Sequence, residues 1–310
     1  MTRLAVLADV HANVPALEAV VEEIRQHRVD GIIAAGDYLT SGPHPGEVVR
    51  LLRNLGAHMI RGNAGGYFLS HRAGEAPESW YTSYQWAGMR WSCHQLDDET
   101  LDFVAGLPEQ RVVERHGTAP IRVVHGSPRS PTERLFPDKD PVAIRHFREA
   151  GLLPWEEDPP PLEEALDTID EPVLACGHTH IPWVQKHDHR LALNPGAVSL
   201  SFTGDPRAHY ALLAWEDDRW EVELRAVPYD LESVREDFRS SGFLAEGGAF
   251  ARAALLGVET GRNVIGFLYW HIDRLAADAG LNEWDAVPDA LWDQAIASFD
   301  WDAYGGDTQP

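Results

Sequence analysis

Five short apolar runs in this chain each stop abruptly at residues that carry chemistry. Residues 4–8 run into Asp9-Val10-His11, residues 31–35 into Gly36-Asp37, and residues 57–60 into Arg61-Gly62-Asn63. Residues 121–124 run into His125-Gly126, and residues 173–176 into Gly177-His178-Thr179-His180. Short apolar runs bounded by glycine and polar residues read as buried strands. Between the first two, Asn13 is an N-cap for a helix carrying Leu17, Val20, Val21 and Ile24 at helical spacing. A second helical stretch, 47–55, precedes the third run. This βαβαβ order predicts an α/β sheet with parallel pairing and helices packed on its faces.

Ligands of open α/β sheets bind beyond the carboxyl ends of the strands. Here those ends deliver Asp9, His11, Asp37, Asn63, His125, His178 and His180. Carboxylate and amide oxygens together with imidazole nitrogens suit Mn, Fe, Zn or related divalent ions. Four His, two Asp and one Asn exceed a single tetrahedral shell. They suit two ions sharing a carboxylate, and ions about 3.5–4 Å apart can clamp both the attacking and the leaving oxygen of a phosphoryl displacement.

The remaining chain is read more coarsely. Residues 67–107 carry Trp80, Tyr81, Tyr84, Trp86 and Trp91 on predicted helices, and form either an inserted helical cap or a helical layer of the core. These rings could stack on a nucleobase or simply pack. Residues 111–114 are a further strand, 141–150 and 162–169 are helical, and an acidic, proline-rich link covers 155–161. Residues 183–193, 210–215 and 220–227 read as antiparallel strands, and 231–239 as a helix. From Ser240 the composition changes, with a helix expected over 264–277; the last 60 residues hold three Arg, no Lys and ten acidic residues.

Composition narrows the function. A net charge of −23 over 310 residues repels nucleic acid and anionic membrane, so only a local positive centre would bind an anion. Cys93 and Cys176 do not make a disulfide framework, and a cytoplasmic setting is expected. The first apolar run is too short for a signal sequence, and no run approaches a membrane span. A chain of this length builds its core without a structural metal, so metal here is expected to serve chemistry.

D-x-H, G-D, G-N, H and G-H-x-H in this order resemble the signature of calcineurin-like metallophosphoesterases, most closely the small prokaryotic phosphodiesterase branch. GDYLTSGPHPGEVV, VVHGSPRS, CGHTHIPWV and NPGAVSLSFTGDPRAHYALL carry the likeness, which spans about residues 1–243 and leaves a helical extension over 244–310. The resemblance implies an αββα sandwich of two face-to-face mixed sheets. It also implies two ions, with Mn favoured and Fe, Zn, Ni or Co as alternatives. Asp9, His11, Asp37 and His180 would hold one ion, and Asp37, Asn63, His125 and His178 the other, with Asp37 as bridge. Asp37, Asn63 and His125 would also be catalytic, and a metal-bound hydroxide would attack phosphorus in line.

Two departures stand out. The family often has G-N-H, its His acting on the leaving group or the phosphate, whereas Asn63 is followed by Ala64. The Asp-Arg-Gly of protein phosphatases is replaced by Asp37-Tyr38-Leu39, which counts against that branch. His44, His71 and His94 are the candidates to replace the missing His, and Arg61, Arg129 and Asn194 are further candidate substrate contacts. The expected function is hydrolysis of a small phosphorylated substrate, with a nucleotide-like one among the options. The alternatives are a metal-binding regulatory protein with little turnover, or a phosphomonoesterase or protein-phosphatase-like activity. The tail, whose only histidine is His271, is expected to supply no metal ligand.

Overall fold

The computed structural model describes residues 2–281 and 287–304. Two five-stranded mixed sheets lie face to face. In the first, β1 (Arg3–Leu7) is central and pairs in parallel with β2 (Gly31–Ala34), which pairs with β3 (His58–Met59). On its other side β1 pairs antiparallel with β9 (Ala208–Glu216), and β10 (Arg219–Val227) forms the edge. The second sheet has the order β4 (Gln110–Val113), β5 (Ile121–Val124), β6 (Val173–Ala175), β8 (Arg190–Asn194), β7 (Trp183–His187). Its β5–β6 and β6–β8 pairs are parallel.

Strand alternation sets the layers, because successive side chains leave a strand on opposite faces. Leu4, Val6 and Ala8 point between the sheets, where they meet Ile121, Val123, Val173 and Leu193. Ala5 and Leu7 point outward onto α1 (Val14–His27) and its Leu17, Val20 and Ile24. Asn13 caps α1 as its sequence suggested, accepting the Ala16 N–H at 3.1 Å. The far face of the second sheet is covered by α7 (Pro141–Glu149) and α8 (Glu163–Leu166) through Phe147, Leu162 and Leu166. Both sheets are therefore apolar on both faces, the condition for a four-layer αββα stack.

Several sequence-based bounds shift. The run 183–193 is two strands, because Asp188 takes a left-handed conformation (φ 50°) and turns the chain back. The expected helix 162–169 shortens to α8, with turns after it. Residues 67–107 form α3 (Asn63–Ala73), α4 (Glu78–Thr82), a 3-10 turn (Tyr84–Trp86), α5 (Ala87–His94) and α6 (Asp98–Ala105). They pack as a helical layer: Phe68, Leu101 and Val104 join Val49, Leu52 and Met59 of the main core.

The chain then adds α9 (Leu231–Ser240), α10 (Phe243–Glu246), α11 (Gly248–Thr260), α12 (Val264–Asp278) and α13 (Asp289–Ser298). Phe243, fully buried, seats this extension against Trp91 of α5 at 4.6 Å and Phe238 of α9 at 5.4 Å. Among the described residues, no helix is long and apolar enough to cross a membrane.

Candidate metal centre

The loops after β1, β2, β5 and β6 converge at one edge of the sandwich. Asp9 and His11 follow β1, Asp37 follows β2, His125 follows β5, and His178 and His180 follow β6. Asn63 opens α3. Asp9, His11, Asp37, His178 and His180 all have positive φ, between 46° and 68°. Such strain costs on the order of 1–3 kcal/mol per residue and persists where the surroundings impose it, commonly at functional sites. The loops are cross-tied. Asp9 N–H donates to the Gly36 carbonyl and His11 N–H to the Asp37 carbonyl, both at 3.1 Å, and His178 N–H donates to Asp9 Oδ2 at 2.9 Å. Glycine is required at Gly62, where a Cβ would run into the Asp37 carboxylate, and at Gly36, whose φ is 101°.

Two groups of ligand atoms result: Asp9, His11 and His180, and Asp9, Asp37 and His125. Asp9 Oδ1 lies 3.5 Å from His180 Nε2 and 3.9 Å from both His11 Nε2 and His125 Nε2. His11 Nε2 and His180 Nε2 are 3.1 Å apart. His125 Nε2 lies 3.3 Å from Asp37 Oδ2 and 2.9 Å from Asn63 Oδ1. Asp9 is the carboxylate common to both groups, and Asp37 lies in the second. His178 stands at the rim, its ring 5.2 Å from that of His125 and its Nε2 3.1 Å from the Thr132 carbonyl.

These residues suit divalent cations on three counts. Asp9 Oδ1 is buried with no hydrogen-bond partner, a cost unless a cation meets it. Two imidazoles are fixed from behind, His125 Nδ1 donating to the Ala35 carbonyl and His180 Nδ1 to the Leu200 carbonyl, both at 2.7 Å. That sets each Nε2 toward the carboxylates, the outer-shell arrangement of metal-ligating histidines. The titration behaviour agrees. Burial, then His180, pulls His11 down to about 4, and burial, then His125, pulls His178 down to about 4, so both imidazoles are neutral at neutral pH, the form that can accept a cation. Burial would lower His125 as well, but Asp37 and Asp9 outweigh it and push it up to about 9. The proton it then carries sits where Asp37 and Asn63 would meet a cation. Asp37 is itself held below the usual carboxylate range: burial opposes this, and His125 prevails.

Residues 2–218 match the family model described as the calcineurin-like phosphoesterase superfamily domain. The chain belongs to that superfamily. It is 25% identical over 250 residues to an uncharacterized protein of Methanocaldococcus jannaschii, covering 75% of this chain and 90% of that one. It is also 25% identical over 222 residues to the phosphodiesterase YfcE of Escherichia coli, covering 69% and 88% of the two chains. Among solved structures, a metallophosphoesterase from Sphaerobacter thermophilus is 26% identical with a TM-score of 0.59, covering 80% of this chain and 99% of that one. A hypothetical protein from Pyrococcus horikoshii, 20% identical with a TM-score of 0.64 and covering 84% and 99%, shares the fold. Membership of this metal-dependent superfamily supports a hydrolase with a metal site.

The other candidate residues of the sequence have these partners. Arg61 pairs with Glu109 at 2.8 Å, and Arg129 with Glu133 at 2.5 Å. Asn194, fully buried, uses its amide donors on the Gly177 carbonyl and Thr179 Oγ1; it holds the 177–180 loop rather than facing a substrate. His44 caps α2 (Pro45–Asn54) and turns to Asp237 at 3.3 Å. His71 lies eight residues along α3 from Asn63, about 12 Å at 1.5 Å per residue, and packs on the Tyr81 ring. His94, at the exposed end of α5, is its neighbour. Ala64 gives its N–H to Asp37 Oδ1 at 3.0 Å. His271 Nε2 contacts Ser298 within the extension.

Sequence reading missed four positioning groups. Thr40 Oγ1 sits 3.0 Å from His11 Nδ1, and Thr132 presents its carbonyl to His178. The Tyr38 hydroxyl lies within reach of the Ala34 and Ile60 carbonyls, joining the ends of β2 and β3. The Phe202 ring stacks on the His180 imidazole at 4.3 Å. Only Tyr38, directly after the Gly-Asp pair, carried a local signal.

Proposed function

We propose that this phosphoesterase is a dinuclear, metal-dependent phosphodiesterase acting on small phosphorylated substrates. The observation that carries the reading is the unpartnered, buried Asp9 oxygen ringed by imidazole nitrogens from both sheets, with the Asp37–His125–Asn63 group beside it. Asp9, His11, Asp37 and His180 would hold one ion, and Asp37, Asn63, His125 and His178 the other. Oxygen and imidazole donors suit Mn, with Fe, Zn, Ni or Co as alternatives. When bound, the ions supply Lewis-acid polarisation of the phosphoryl group and of the attacking water.

The chain's own residues prepare that chemistry. The Ala35 and Leu200 carbonyls fix the tautomers of His125 and His180, so neither ring must turn when a ligand arrives. Asp9 and Asp37 hold compensating negative charge where nearly all water is excluded. The pairing of Arg61 and Arg129 favours a diester over a monoester. A monoester dianion gains from an additional guanidinium, and both arginines near the strand ends are already neutralised. YfcE, the named phosphodiesterase among the relatives, points the same way.

The test is hydrolysis of an activated aryl phosphodiester by the full chain with added Mn. Turnover that is lost in Asp37→Asn is the expected result. Stoichiometric Mn binding with no turnover of aryl diesters or monoesters would overturn the reading in favour of a metal-binding regulatory protein. Preference for the monoester would move it to a phosphomonoesterase.

A further inference from the structure

Beside the centre runs a groove with one wall inside the matched residues 2–218 and the other, from Arg262 to Trp270 with Tyr304, in the extension beyond them. Its inner cavity, about 460 Å³, lies between Phe202–Gly204 and the start of α12, with Tyr304 in its lining. An adjoining cavity, also about 460 Å³, shares Ala150, Asn263 and Phe267 with the first and continues between the end of α7 and α12. These volumes fall in the range of small-molecule sites. Phe202 links the groove to the centre, since it lines the inner cavity and stacks on His180.

The walls have a definite chemistry. Trp155 and Trp270 line the outer cavity while 60% and 63% exposed, with Arg148 over the first ring at 5.8 Å and Arg274 over the second at 5.6 Å. Phe267 and Tyr304 stack on each other at 5.6 Å along the inner wall. Arg134, Arg148 and Arg262 line the same groove, and none has a carboxylate partner among the described residues. Each instead reaches a backbone carbonyl: Arg134 that of Leu152, Arg148 that of Glu157, Arg262 that of Ala303. Arg148 Nε is buried with no acceptor at all. The carboxylate on the wall, Glu149, lies 3.6 Å from Arg145 Nε in an exposed pair. Uncompensated guanidinium charge in a chain of net −23 is a local anion site. Exposed indoles interleaved with arginine are the surface on which nucleobases stack and phosphates pair.

We propose that this groove holds the nucleoside arm of a nucleotide diester whose phosphorus lies at the Asp9–Asp37 centre. The base stacks on Trp155 or Trp270, and further phosphate or ribose oxygens meet Arg148 and Arg262. The C-terminal extension thereby becomes half of the substrate site. This rests on the phosphodiesterase reading above.

The test compares two substrates with one leaving group, the nitrophenyl ester of thymidine 5′-phosphate and nitrophenyl methyl phosphate, on the Mn-loaded full chain. The nucleoside ester should show kcat/KM at least about tenfold higher, the scale of one base–aromatic stack. Trp270→Ala and Arg262→Ala, both at exposed positions, should bring the ratio toward one and leave the methyl ester unchanged. Equal values in the unaltered protein, or a preference that survives both variants, would overturn the groove assignment while the phosphodiesterase reading stands. If neither ester is hydrolysed, that reading fails, and the groove is judged by binding. Saturable quenching of tryptophan fluorescence by thymidine 5′-phosphate, absent with inorganic phosphate and lost in Trp270→Ala, supports it. Absence of saturable quenching overturns it.

Discussion

At Asp9, one side chain holds the centre's two halves together: Oδ2 accepts the His178 N–H while Oδ1 is left among three imidazoles. Asp9→Asn keeps the shape and removes the charge. It should cut Mn affinity and turnover by at least about 100-fold, beyond the effect usual for outer-shell partners, with the fold intact by circular dichroism. Metal counting on the purified variant checks it, and two tightly held ions would refute it. Asn194→Ala acts indirectly, by loosening the 177–180 loop, and should weaken Mn binding by about 10–100-fold. An unchanged Mn titration would show that the loop needs no such tie. Ala64 leads to a kinetic expectation. A general acid is typically worth 10²–10⁴-fold for a poor leaving group, and a methyl side chain gives no proton. Rates across a series of aryl diesters should therefore fall steeply as leaving-group pKa rises. Because His71, His94 and His44 sit on α3, α5 and the cap of α2 with other partners, alanine at each should leave that slope unchanged. A slope that is shallow, and steepens in one variant, would identify the acid and overturn this expectation.

Among the elements, α5 and α10 determine how the extension belongs to the molecule. Phe243 fills the space between Trp91 and Phe238 and is fully buried. Phe243→Ala should cost about 3–5 kcal/mol, the usual range for truncating a buried aromatic. Metal stoichiometry of the folded fraction should survive, because no ligand lies in α10–α13 among the described residues. Denaturant melts with parallel metal analysis measure both, and loss of an ion from a folded sample would contradict the separation. The same packing explains why residues 67–107 do not stand off as a cap. Their helices are held by α2 and the core on one side, through Leu101 and Val104, and by the extension on the other, through Trp91.

The whole molecule joins two sheets at one edge: Asp9, His11 and Asp37 come from the first, and His125, His178 and His180 from the second. Ions bound there tie both layers. Ligand that binds only the folded state adds about 2.7 kcal/mol at a hundredfold excess over Kd for each site. Mn should therefore raise the melting temperature and a chelator should reverse the rise, with His180→Ala showing less than half the shift. A melting temperature indifferent to Mn would deny the centre its ions.

The Asp, Asn and His residues at the strand ends, their order along the chain and the alternation of strands and helices were legible without coordinates, because each is written in contiguous residues: an apolar run, a glycine, an Asp or His. What only the tertiary structure decided concerns partners far apart in the chain. Arg61 and Arg129 pair with Glu109 and Glu133, Phe202 lies on His180, and Asp9 stands in both groups of candidate ligand atoms. The left-handed backbone at Asp9, His11, Asp37, His178 and His180 belongs to the same class. No local preference of Asp or His dictates it, and it holds only because two packed sheets fix both ends of every loop.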